Sequence, residues 1–200
     1  MICRMLDSKP SIHLPRVQSL KTELDILREV SERLDSAGIE FMVTGSVAMN
    51  YYAQPRMTRD IDVVMDLKES DAGTLIDLFK EDYYIDRDAV IRAIAQRSIF
   101  NLIHQDSVIK VDGIVRKDDP YRQEEFARKQ RVSIEDFHTW IVSVEDLILS
   151  KLYWARNSHS ELQLRDVRNL LRIDCDRDYL RSRAKIVGVD QLLEELLAEQ

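Results

Sequence analysis

The chain has 200 residues, of which 44% are hydrophobic and 32% charged, with five Gly and four Pro. This suits one medium domain with a real core, and excludes collagen-like, low-complexity and disordered chains. The net charge of −7 argues against broad non-specific nucleic-acid binding, and no apolar run reaches the roughly 18 residues of a membrane helix.

Residues 1–17 read as a loose arm containing Pro10 and Pro15, without the apolar core of a secretory signal. Cys3 and Cys175 match no metal spacing, so two reduced thiols in a cytoplasmic protein are expected. A helix fits 19–37, where Leu20, Leu24, Leu27, Val30 and Leu34 recur at helical steps. Gly38 stands where a helix end favours a left-handed residue. Ile39–Thr44 reads as a strand, Gly45-Ser46 as a tight turn and Val47–Ala53 as a short helix. Gln54–Arg59 is a loop, because Pro55 breaks the helix. Ile61–Met65 is a second strand, followed by helices at 69–80 and 88–97. Ser98–His104 and Val108–Val115 read as two further strands. A polar helix near 120–129 leads to strands near Ser133 and at Thr139–Val142. Beyond Ser143 the periodicity is helical throughout: 144–157, 160–173, 178–186 and 189–199. The expected organisation is an arm (1–17), an α/β core (18–143) and a helical C-terminal extension packed on it (144–200). Trp140 and Trp154 sit among apolar residues and read as core.

The chemistry concentrates in VTGSVAMNYYAQPRMTRDIDVVMD, residues 43–66. Strand side chains alternate faces, so Asp60 and Asp62 point one way while Ile61 and Val63 point into a core. Paired carboxylates repel and call for a cation, and a hard ion such as Mg²⁺ takes oxygen ligands. The bland alternative is a solvated strand face. Gly45-Ser46 ends a strand and opens a helix, whose free N–H groups form an anion site. Asp112, on the same face of its strand as Lys110, supplies a third carboxylate if that strand neighbours 60–65. Three carboxylates suit two metal ions that clamp a phosphoryl displacement.

Thr44-Gly45-Ser46, a gap of thirteen residues, then Asp60-Ile61-Asp62-Val63, resembles the signature of the DNA polymerase β-type nucleotidyltransferase superfamily. Val111-Asp112 resembles its third-carboxylate strand. The C-terminal half is similar to the abortive-infection-type nucleotidyltransferase toxins of toxin–antitoxin systems. Lys110-Val111-Asp112, Ile148-Leu149-Ser150-Lys151-Leu152 and Arg165-Asp166 carry that similarity, while Tyr153, Glu161 and Asn169 depart from the pattern. The resemblance implies a nucleotidyltransferase fold, a small mixed sheet flanked by helices with a helical extension. It further implies transfer of a nucleoside monophosphate from a triphosphate such as ATP to a hydroxyl on RNA, protein or a small molecule. Asp60, Asp62 and Asp112 would be the catalytic metal ligands for two Mg²⁺ ions. Gly45, Ser46, Arg56, Arg59, Lys151 and Asp166 would serve the nucleotide. An antitoxin protein would be a partner. A catalytically silent nucleotide-binding or partner-binding module of the same fold is the alternative.

Lys151 lies in an apolar helical stripe with Val144, Ile148 and Ala155, so it must snorkel or find a partner. Asp166 on the next helix is that partner. Lys151 is then a helix staple, a phosphate-binding lysine, or both. Eight Lys or Arg against five acids in 156–185 suggest either a solvated surface or an RNA patch.

Overall fold

A computed structural model of the chain describes residues 21–53, 58, 60–158 and 160–199, without the side chain of Asn157. The arm expected at 1–17 and all of the Gln54–Arg59 loop but Thr58 lie outside the described residues.

The first helix, α1 (Glu23–Ser36), begins at a reciprocal cap: the Asp25 N–H donates to the Thr22 hydroxyl and the Thr22 N–H to the Asp25 carboxylate. It stops at Gly38, which takes φ +68°. There follow β1 (Phe41–Thr44), α2 (Gly45–Tyr52), β2 (Asp60–Met65), α3 (Ala72–Phe79), β3 (Tyr83–Ile85), α4 (Arg87–Gln96), β4 (Ile99–His104) and β5 (Lys110–Val115). Then come α5 (Pro120–Ala127), β6 (Gln130–Ile134), β7 (Phe137–Ile141), α6 (Val144–Ser158), α7 (Glu161–Leu170), α8 (Arg177–Val187) and α9 (Asp190–Ala198).

The strands form one mixed sheet of seven, in the order β3-β4-β5-β2-β1-β7-β6. The pairs β5–β2 and β1–β7 are parallel; the remaining neighbours are antiparallel. The sheet is thus mixed and helix-flanked as expected, though not small. β3 went unread in the sequence, since three residues carry no clear alternation. The helix expected at 69–80 divides into a 3₁₀ turn at Glu69–Asp71 and α3.

Strand alternation sends apolar side chains to two separate cores. On one face Val43, Ile61, Val63, Met65, Val111 and Val115 meet Ile26, Val30 and Leu34 of α1, Leu75 and Phe79 of α3, and Val90 of α4. On the other, Met42 and the α2 residues Ala48 and Met49 meet the helices after β7 through Leu147, Ile148, Leu152, Val167 and Leu170. Leu180, Leu193 and Leu196 bring α8 and α9 into this second core. A buried polar network secures α6: the Asp146 carboxylate accepts from Ser143, Tyr121, Tyr179 and Arg128. Trp140 packs half-buried against the first core, but Trp154 is 62% exposed, contrary to its reading as core. α6 buries the stripe of Ile148, Leu152 and Ala155, and Trp154 projects away from it.

Gly113 of β5 stands directly across from Phe100 of β4, and a Cβ on it would fall 2.4 Å from the Phe100 ring. Gly113→Ala is therefore expected to destabilise by about 1–3 kcal/mol through overpacking. Phe100→Leu in the same chain should recover part of that loss; urea denaturation of the single and double variants measures both.

Candidate active site

The β2–β5 register decides the site. The two strands run parallel with Asp62 opposite Asp112 and Asp60 opposite Lys110. Ile61, Val63, Val111 and Val115 are buried on the opposite face, so alternation turns Asp60, Asp62 and Asp112 to a common side. The three carboxylates of the sequence motif therefore share one patch of sheet. Asp60 is exposed; Asp62 and Asp112 are half-buried.

Lys110 is the local counter-charge. Its Nζ lies 2.9 Å from Asp112 Oδ2 and 3.8 Å from Asp60 Oδ1. The hydrogen bond to Asp112 raises its pKa, with the charges of all three aspartates adding to this. Asp62 carries the opposite strain. Burial first, then the Asp112 and Asp60 carboxylates, raise its pKa, while Lys110 and Lys151 pull it down. A half-buried carboxylate held against two others, with all donors oxygen, fits a hard divalent cation, which would favour the charged form. Lys110 was visible in the sequence only as the first residue of Lys-x-Asp; its place between two aspartates follows from the strand pairing.

Gly45 completes this corner. Thr44, the last residue of β1, pairs with Asp62. Gly45 turns the chain at φ +62°, and a Cβ there would lie 2.0 Å from Asp62 Oδ2. Both the left-handed backbone and the Asp62 side chain thus demand glycine. The expected turn is absorbed into α2, which starts at Gly45 itself. Thr44 gives α2 no side-chain cap hydrogen bond, and the first turn holds no acidic residue. By contrast Asp86, Asp119, Ser160 and Asp176 cap α4, α5, α7 and α8. The α2 N-terminus thus carries the positive end of the helix dipole without a side-chain cap from Thr44.

Lys151 reaches the site from α6, which packs on α2. Its Nζ donates to Asp166 Oδ2 at 2.7 Å and to Gln163 Oε1 at 3.3 Å. Lys151 is 4% exposed and Asp166 1%. The pair staples α6 to α7, and its cation is near enough to lower the pKa of Asp62. Gln163 was not singled out in the sequence, although it stands one turn before Asp166. Arg56 and Arg59 lie outside the described residues.

Among the described residues, the three side chains whose metal-ligating atoms all lie within 4.8 Å of one another are Glu29, Asp82 and His104; Asp60, Asp62 and Asp112 stand wider apart than that. The Glu29 group belongs to the opposite face, where His104 packs edge-on to Tyr83 and bonds Ser107. Arg33 forks onto Asp82 at 2.8 and 2.6 Å and pairs with Glu29, so arginine already answers those acids.

No family model matches the chain, and no curated protein matches it. Solved structures do. An antigenic nucleotidyltransferase-like protein from Paracoccidioides brasiliensis matches with TM-score 0.58 and 16% identity, over 88% of this chain and 92% of that one. The lincosamide antibiotic adenylyltransferase LnuA, solved with lincomycin, matches with TM-score 0.55 and 15% identity, over 76% and 98%. The antibiotic-resistance factor ANT(2'')-Ia matches with TM-score 0.55 and 14% identity, over 88% and 96%. The fold is that of the nucleotidyltransferases.

Two stability predictions follow from the charges. The raised pKa of Asp62 means that its ionisation opposes folding. The penalty is absent below the ordinary carboxylate value and sets in as pH rises through the window up to the raised folded value. Asp62→Asn should thus raise the metal-free melting temperature at about pH 7, with a gain that shrinks towards about pH 4. Calorimetric scans across that range check the sign. Lys151→Met strands the buried Asp166 and should cost about 3–5 kcal/mol. Adding Asp166→Leu should return much of it, as read by chemical denaturation.

Proposed function

We propose that the protein is a metal-dependent nucleotidyltransferase that moves a nucleoside monophosphate from a triphosphate to an acceptor hydroxyl. The observation that carries this reading is the Asp62–Asp112 register, with Gly45 closed against Asp62 at the start of an uncapped helix. The fold shared with proteins named as nucleotidyltransferases and adenylyltransferases supports it.

Asp60, Asp62 and Asp112 would hold two Mg²⁺ ions. When bound, such ions neutralise phosphate charge and make a hydroxyl easier to deprotonate. The chain's own residues do the rest. The first N–H groups of α2, at Gly45 and Ser46, receive the phosphates, and the positive helix end favours them. Lys151, fixed by Asp166 and Gln163, balances negative charge as it builds on the departing pyrophosphate. Asp112 accepts the proton of the acceptor hydroxyl as that oxygen bonds to the α-phosphorus. The bond between the α-phosphorus and the bridging oxygen breaks as the new one forms, and pyrophosphate carries away the electron pair.

Incubation with each α-labelled triphosphate, Mg²⁺, and pools of RNA, protein or hydroxylated small molecules tests the reading. Mg²⁺-dependent release of pyrophosphate is expected, abolished by chelation and by Asp62→Asn or Asp112→Asn in folded protein. Full activity in either variant would overturn the carboxylate site. The folded Lys151→Met/Asp166→Leu variant should be slower by orders of magnitude, roughly a hundredfold or more for a lost transition-state charge contact. Wild-type turnover in that variant would make Lys151 structural.

A further inference from the structure

Among the described residues, the sheet face that bears the carboxylates is only half covered. α2 and α6–α9 pack over β1, β7 and the inner end of β2. The β3–β4–β5 half turns Tyr84, Ile99, Ile103 and Ile114 to the same side, and none of these four belongs to either core. Tyr84 is 61% exposed and Ile99 55%. These are strand residues, with Ile103 and Ile114 on the interior strands β4 and β5, where a packed sheet would bury them.

The open patch is continuous with the site. Ile103 stands opposite Lys110, Asn101 opposite Asp112, and Ile99 opposite Ile114. Tyr84 extends the Ile103 row on β3. Its middle row therefore runs from Asn101 through Asp112 to Asp62. Two strand spacings by four residues make the patch about 10 Å by about 13 Å, the size of one or two rings.

We propose that this open half of the sheet is the acceptor-binding face, and that it takes an uncharged or cationic small molecule with a flat apolar side and a hydroxyl at one edge. The inference rests on the transfer reading above. The apolar side lies on Ile99, Ile103, Ile114 and the Tyr84 ring; Asn101 orients the polar edge toward Asp112. Among the described residues, charge selects against a nucleic acid. A polyphosphate backbone needs Lys and Arg along its path. The strand residues of this face supply Lys110 as their one cation, held by Asp112, beside three carboxylates. At the Ile99 end of the sheet Arg97 pairs with Asp118 and Arg116 with Asp66. In the arginine-rich 156–185 stretch, Arg168, Arg181 and Arg183 are engaged by Glu199, Glu194 and Glu124.

Methyl NMR on the full chain with isoleucine-labelled methyl groups tests this. Three probes are titrated separately: phenyl β-D-glucoside, which is neutral with one apolar ring and several hydroxyls; an oligoadenylate RNA; and ATP with Mg²⁺. The glucoside is expected to shift the Ile99, Ile103 and Ile114 methyls, and the RNA to leave them in place. Ile103→Glu should weaken the glucoside about tenfold, the loss of one good apolar contact, with the affinity for Mg-ATP kept. Glucoside shifts absent from these methyls, or RNA shifts in their place, overturn the inference. So do shifts of the same methyls on simple dilution, which would mean that a second copy of the chain covers the face. Binding of Mg-ATP in the same sample keeps the two readings apart. If Mg-ATP binds and the glucoside does not, the acceptor face is wrong and the transfer reading stands. If neither Mg-ATP nor any of the other three Mg-nucleoside triphosphates binds, the transfer reading falls, and this inference with it.

Discussion

The constraint on which the site depends is an unfavourable one: two aspartates held opposite each other on neighbouring parallel strands. At about 5 Å and an effective dielectric near 20, like charges cost about 3 kcal/mol. The same strands bury Ile61, Val63, Met65, Val111 and Val115 on the other face. Each such side chain contributes about 1.5–3 kcal/mol, so the five together contribute roughly 10 kcal/mol, an upper value given a compact unfolded chain. Apolar burial wins, and alternation carries the aspartates along with it. A slip of one residue would send both carboxylates into the core, so the register that builds the site is the register that builds the fold.

The surroundings of Asp62 and Asp112 make sense as partial compensation. Lys110 comes free with the Asp112 strand, two residues away on the same face, and bridges Asp112 toward Asp60. Lys151 arrives from a different layer and is committed to Asp166 and Gln163. Asp166 holds Lys151 in an apolar wall, whereas Lys110 is half-buried at the start of β5 and held by Asp112. Asp62 still keeps a raised pKa despite both cations. On the transfer reading, that unbalanced remainder is what a bound cation would offset.

Much of this was legible in the sequence because it follows from short-range rules. The period of two along residues 60–65 and 110–115 placed the carboxylates on one face, and the helical period after Ser143 gave the four last helices. What the sequence withheld depends on pairing between distant segments. Gly45 reads as a generic turn until β1 and β2 are paired and Asp62 proves to occupy the space of its missing Cβ. β3 is three residues long and exists as a strand only because β4 offers it an edge. Trp154 looked like core because its neighbours in the chain are apolar. Burial on α6 is decided by the stripe that meets α2, α7 and α8, and Trp154 falls outside it.

The helical run after β7 also decides which half of the sheet face is covered. Four helices follow the last strand, and all of them add to the second core over the β1–β7 side. On β4, Ile99 and Asn101 remain exposed. The seam between the covered and the open half therefore falls at β2–β5, where the carboxylates stand. On the transfer reading this division has a consequence. Residues that hold the triphosphate (the α2 N-terminus and Lys151) come from the covered half, where they are tied into a packed core and a buried ion pair. Residues that meet the acceptor come from bare strands whose outward side chains support little else. On the same reading, a single exchange at Ile99, Asn101 or Ile103 would change what the open face recognises at small cost to stability, while the phosphate end would stay fixed by the packing of the other half.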